Sequence, residues 1–152
     1  MTVLVCGANG SIGSFVSQHE AKAHKVVGTY RNYDDHAKEL EKNPNITLIQ
    51  KDMFKSTDMK DVVEKAREQG PITKVYWLVG ESWNIGWDKM KLEDIQHAVR
   101  MCAEPVASLI IECKPELSDE NNLMRWASIS GISSLVYAGG PNKPATGGAK
   151  HM

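Results

Sequence analysis

Val3-Leu4-Val5-Cys6-Gly7-Ala8-Asn9-Gly10-Ser11-Ile12-Gly13 is the stretch that decides the fold. Its first four residues are an unbroken apolar run. Such a run reads as a short strand buried on both faces, as in a parallel sheet. Gly7, Gly10 and Gly13 follow with the spacing G-x-x-G-x-x-G. A helical stretch comes next, with Ile12, Phe15, Val16 and His19 predicted on one face.

Working outward, the same alternation repeats. Lys25 to Tyr30 is a second β-rich run. Asp34 to Lys42 carries helix formers and stops before Asn43-Pro44. Ile46 to Ile49 reads as a third strand. Ser56 or Thr57 is placed to cap a helix over Asp58 to Gln69, with Val62, Val63 and Ala66 inward and Gly70-Pro71 as its stop. Lys74 to Val79 reads as a fourth strand ending at Gly80. A long helical region follows from Leu92 to Leu117, and Pro105 is expected to kink or divide it. Leu123 to Ser130 reads as a fifth strand. Strands alternating with helices predict an α/β, Rossmann-like doubly wound parallel sheet, about five strands in the order 3-2-1-4-5. No internal repeat or linker interrupts it, so residues 1–152 read as a single domain.

A glycine turn between a first strand and its helix suits a dinucleotide. The first glycine permits a tight turn, the second lets a pyrophosphate approach the backbone, and the third lets helix and strand pack closely. Amides at the helix start, with the positive end of the helix dipole, then attract the phosphates. Gly7, Asn9, Gly10, Ser11, Ile12 and Gly13 are therefore candidate cofactor-binding residues. The spacing is a variant of the commoner G-x-G-x-x-G. Arg31 follows the second strand, 18 residues beyond Gly13. An acidic residue there would bind the ribose 2′-hydroxyl of NAD, whereas an arginine accommodates the 2′-phosphate of NADP. NADP(H) is favoured over NAD(H). The first carboxylates, Asp34 and Asp35, come late enough to cap the next helix instead.

Composition excludes several other classes. Of the 152 residues, 41% are hydrophobic and 24% charged, which is ordinary for a folded domain. The net charge of −1 argues against a nucleic-acid or polybasic membrane surface. No apolar run approaches the roughly 20 residues of a membrane helix, and the N-terminus lacks the pattern of a secretory signal. Cys6, Cys102 and Cys113 are widely spaced and odd in number, which suits a reducing compartment; the expected location is cytoplasmic. His19, His24, His36 and His97 have no metal-like spacing.

These segments together resemble a short-chain dehydrogenase/reductase. The glycine turn has the form more usual in extended or atypical members. Asp52-Met53 resembles the acidic pair after the third strand, where the aspartate holds the adenine ring. Leu78-Val79-Gly80 stands where the family has Asn-Ala-Gly. Ser128-Ile129-Ser130-Gly131-Ile132-Ser133-Ser134 resembles the serine strand, and Thr146-Gly147-Gly148-Ala149-Lys150 falls on the family's Tyr-x-x-x-Lys. The resemblance implies carbonyl or alcohol oxidoreduction with a nicotinamide cofactor. It implies that Ser133, with Ser134 as the alternative, holds the substrate carbonyl, and that Lys150 binds the nicotinamide ribose. Gly80 would lie at the cofactor.

The chain departs from the pattern at defined positions. Thr146 stands at the proton donor's place, Met101 at that of a relay asparagine, and Leu78 at the strand-end asparagine. A threonine hydroxyl is shorter and far less acidic than a phenol, whose pKa is about 10. The resemblance further implies that the chain is C-terminally truncated: the sixth and seventh strands, most of the catalytic helix and the substrate lid are not in it. Two functions are therefore expected as rivals, an NADP(H)-dependent oxidoreductase and a catalytically silent dinucleotide-binding sensor or partner subunit. A homo-oligomer through the Leu92–Leu117 helices is also implied.

Overall fold

The computed structural model describes residues 1–55, 58–80, 88–117 and, along the backbone, 125–128. Its elements run β1 (Thr2–Cys6), α1 (Ser11–Glu20), β2 (Lys25–Tyr30), α2 (Asp35–Glu41), β3 (Ile46–Gln50), α3 (Lys60–Glu68), β4 (Ile72–Trp77), α4 (Leu92–Glu112), α5 (Lys114–Leu117) and β5 (Arg125–Ser128). The strands form one sheet in the order β3-β2-β1-β4-β5, and every pairing is parallel. This is the expected Rossmann-like architecture.

β1 holds the centre. All five of its residues are buried, and its side chains alternate between the two faces. Leu4 and Cys6 join Met59, Val62, Val63, Val75, Leu109 and Cys113 in a core beneath α3 and α4. Val3 and Val5 join Ala21, Val26, Leu40 and Ile46 in a second core beneath α1 and α2. A sheet covered on both faces explains why the β1 sequence is continuously apolar. The chain builds β1, β2 and β3 outward in one direction, then returns to place β4 on the other side of β1. That reversal leaves a crevice beyond the carboxyl ends of the strands.

Several local expectations need correction. The inward face of α1 is Gly13, Ser14, Ser17 and Glu20, whereas Ile12 is 53% and Phe15 72% exposed. His19 is also exposed, and only Val16 of the predicted face packs against a core. The turn dictates this rotation. Gly13 must lie against Gly7, and positions 13, 14, 17 and 20 share the helical face that this contact turns inward. Close approach of the backbone therefore overrides side-chain hydrophobicity.

α3 begins at Lys60 with Met59 as its N-cap, and no side chain caps it. Asp58 accepts a bond from the Lys60 amide at 2.9 Å. The predicted caps Ser56 and Thr57 lie outside the described residues. Asp34, in contrast, caps α2 by accepting from the Ala37 amide at 2.9 Å. Pro105 does not divide the long helix: α4 runs through it to Glu112, and the break falls at Cys113. A proline forgoes one amide bond inside a helix. Val106, Leu109 and Cys113 beyond Pro105 are anchored in the core beneath α3, which holds the helix together. β4 starts two residues earlier than expected, and the described part of the fifth strand is Arg125–Ser128. No helix among the described residues is long and apolar enough to cross a membrane.

Candidate functional site

The glycine turn is held from both sides. Gly7 has φ +82°, a left-handed conformation that side chains rarely adopt. Its amide donates to Thr29 Oγ1 at 3.1 Å, and the Ala8 amide donates to the Thr29 carbonyl at 2.7 Å. Gly10 is the N-cap of α1, with no side-chain cap and no acidic residue in the first turn. The first amides of the helix therefore face the turn with the positive end of the dipole.

Asn9 ties the turn to the loop after β2. Its Nδ2 donates to the Asn32 carbonyl and to Asp34 Oδ2, both at 2.9 Å. Asp34 thus fixes the start of α2 and the tip of the glycine turn together. On the next strand, the β2–β3 register sets Tyr30 opposite Gln50, so Arg31 and Lys51 follow side by side. The Gln50 amide donates to the Arg31 carbonyl at 3.2 Å. Lys51 pairs with Asp61. Asp52 Oδ1 accepts from the Phe54 amide at 3.1 Å, which shapes the turn after β3.

These loops surround a cavity of about 280 Å³ at the carboxyl ends of β1, β2, β3 and β4. Gly7, Asn9, Gly10, Arg31, Asp52, Met53 and Gly80 line it. Ser11 and Ile12 open α1 at the surface and do not line this cavity, and Gly13 lies buried beneath the turn. Sequence reasoning missed Thr29, Asn32, Asp34, Lys51 and Phe54, which also line it. Their signal was position alone: each lies at or just beyond the carboxyl end of a strand. Ser133, Ser134, Thr146 and Lys150 lie outside the described residues.

The turn fits a dinucleotide on its own geometry. A Cβ on Gly10 would meet nothing closer than the Gly7 carbonyl oxygen at 3.5 Å, so its cavity-facing side is open to a ligand. The pyrophosphate would lie against Gly7, Gly10 and the first amides of α1.

No family model matches the sequence, and no curated protein matches it. Solved structures do share its fold. The SCOR enzyme of Clostridium thermocellum matches 98% of this chain and 60% of its own, at 20% identity and a TM-score of 0.79. A short chain oxidoreductase of Pseudomonas aeruginosa PAO1, described as NADPH bound and as containing an atypical catalytic center, matches 99% of this chain and 60% of its own, at 14% identity and a TM-score of 0.80. A short chain dehydrogenase/reductase of Burkholderia phymatum in complex with NAD matches 99% of this chain and 55% of its own, at 14% identity and a TM-score of 0.79. The fold is that of short-chain dehydrogenase/reductase structures, and the chain spans about 60% or less of the length of these three.

Proposed function

We propose that this chain binds NADP(H) across the carboxyl ends of β1 to β4 and serves a short-chain dehydrogenase/reductase acting on a carbonyl or alcohol. The observation that carries the reading is the uncapped start of α1. It meets the left-handed Gly7 turn at the mouth of a cavity that Arg31 also lines. Gly7, Asn9, Gly10, Ser11, Ile12 and Gly13 form the phosphate-binding turn. Arg31 receives the 2′-phosphate, Asp52 and Met53 receive the adenine, and Gly80 borders the nicotinamide side. The bound cofactor would supply hydride chemistry. Ser133 holds the substrate oxygen and Lys150 the nicotinamide ribose.

Thr146 favours a second reading, a catalytically silent dinucleotide-binding sensor or partner subunit. A missing positioned acid typically costs about 10²–10⁴ in rate. NADPH oxidation against a panel of carbonyl compounds, run beside Thr146→Tyr, separates the two. Turnover by either protein supports the oxidoreductase. NADPH binding without turnover by either supports the silent module. Cytoplasmic location and a homo-oligomer through α4 belong to the same proposal, and light scattering tests the second.

A further inference from the structure

A second and larger cavity, about 750 Å³, opens beside the first. The two share Arg31, Asn32, Asp52 and Phe54, so the adenosine end of the site continues into it rather than meeting a wall. Its further lining comes from the turn after β3 and from the middle of α4. Lys55, His97 and Arg100 bring donors, Glu104 a carboxylate, and Met101 and Pro105 an apolar surface. Arg31, Lys55 and Arg100 all line the cavity and are exposed. Among the described residues neither Lys55 nor Arg100 has an ion-pair partner, whereas the Lys51 ammonium in the first cavity is engaged by Asp61.

We infer that Lys55 and Arg100 are specificity-determining residues that, with Arg31, read the 2′-phosphate of the cofactor. The inference rests on the NADP(H) reading and extends it to a wall supplied by a different pair of elements. Arg31 stands at the junction of the two cavities. A dianionic phosphate beside it gains charge-assisted bonds from any further guanidinium or ammonium within reach, and these are the strong class of hydrogen bond. Phe54, Met101 and Pro105 give the adenosine portion an apolar seat. Of the two carboxylates in this lining, Asp52 and Glu104, the second opposes the phosphate from the same helix face as Arg100, one turn beyond it.

Calorimetric titration with 2′,5′-ADP and with 5′-AMP tests this without any turnover. Wild-type protein is expected to prefer 2′,5′-ADP by at least tenfold. Arg31→Ala, Lys55→Ala and Arg100→Ala should each lower the affinity for 2′,5′-ADP by roughly three- to tenfold and leave 5′-AMP unchanged. Arg100→Lys should retain part of the preference. Glu104→Gln should raise affinity for 2′,5′-ADP about twofold, an increase that damage to the fold would not produce. If the wild-type protein shows no preference, the NADP(H) reading fails and this inference fails with it. If Arg31→Ala abolishes the preference while Lys55→Ala and Arg100→Ala keep it whole, the NADP(H) reading stands and this inference is overturned.

Discussion

Gly13 lies directly beneath the carbonyl of Gly7: a Cβ at position 13 would stand 2.0 Å from that oxygen and 2.9 Å from its carbon. No flexible side chain is available to yield, because both atoms are backbone. Gly13→Ala should therefore force α1 away from the turn and destabilise the protein by about 3 kcal/mol or more. Gly10→Ala meets only an ordinary contact and, as an N-cap change, should cost about 1 kcal/mol or less. It should nevertheless weaken NADPH binding, since its methyl would occupy the pyrophosphate's approach. Thermal unfolding of both variants, with an NADPH titration of Gly10→Ala, checks this contrast.

Thr29 stabilises the turn from the neighbouring strand. It is fully buried, and its hydroxyl accepts from the Gly7 amide while its carbonyl accepts from Ala8. Thr29→Val keeps the shape and removes the acceptor, leaving the part-buried Gly7 amide without its bond. A loss of about 1–3 kcal/mol is expected by denaturant unfolding. Thr29→Ser, which restores the hydroxyl, should recover most of it.

Glu20 couples α1 to β4. Its carboxylate accepts from Lys74 Nζ at 3.0 and 2.9 Å and from the Tyr76 hydroxyl at 2.7 Å. Burial disfavours its charge, but the bonds from Tyr76 and Lys74 outweigh burial and hold the carboxyl below its usual range. The same bond, aided by burial, pushes Tyr76 up to about 12. A carboxyl with a lowered folded-state pKa contributes stability above its unfolded value and loses it as the pH falls through the folded one. Glu20→Gln should thus cost about 1–3 kcal/mol near neutrality. The deficit should shrink once the pH drops below the ordinary value of 4.5. Arg67 and Glu116, which also pair, are present in both proteins and cancel in the difference. Unfolding curves between neutrality and pH 3 read it directly.

Phe15 tests the rotation of α1. It is 72% exposed and stacks on His19 with ring centroids 6.3 Å apart. Phe15→Ser should change stability by less than about 0.5 kcal/mol, as at other surface positions. A core phenylalanine would cost about 3–5 kcal/mol on truncation, so thermal unfolding of the one variant decides the matter.

Much of the architecture was legible because the informative residues lie close together in the chain. The apolar run of β1 and the glycines after it specify a strand, a turn and a helix within thirteen residues, and the sheet order follows from alternation alone. The inward face of α1 is not legible in the sequence because Ser14, Ser17 and Glu20 are polar, and nothing local says that a backbone contact at Gly13 will turn them inward. Glu20 tolerates burial chiefly through Lys74 and Tyr76, more than fifty residues away. The site divides in the same way. Gly7, Arg31 and Asp52 stand in recognisable positions after strands, whereas Asn32, Lys51 and Phe54 converge on them only through the parallel register of β2 and β3.

In the function proposed above, the turn and Arg31 together hold a 2′-phosphorylated dinucleotide. Isothermal titration of the wild-type protein and of Arg31→Ala with NADPH and with NADH tests it most directly. The wild-type protein is expected to bind NADPH more tightly than NADH. Arg31→Ala is expected to lose roughly tenfold or more of its NADPH affinity while NADH binding changes little. Equal weakening of both would refute the 2′-phosphate role of Arg31, and no binding of either dinucleotide by the wild-type protein would contradict the account as a whole.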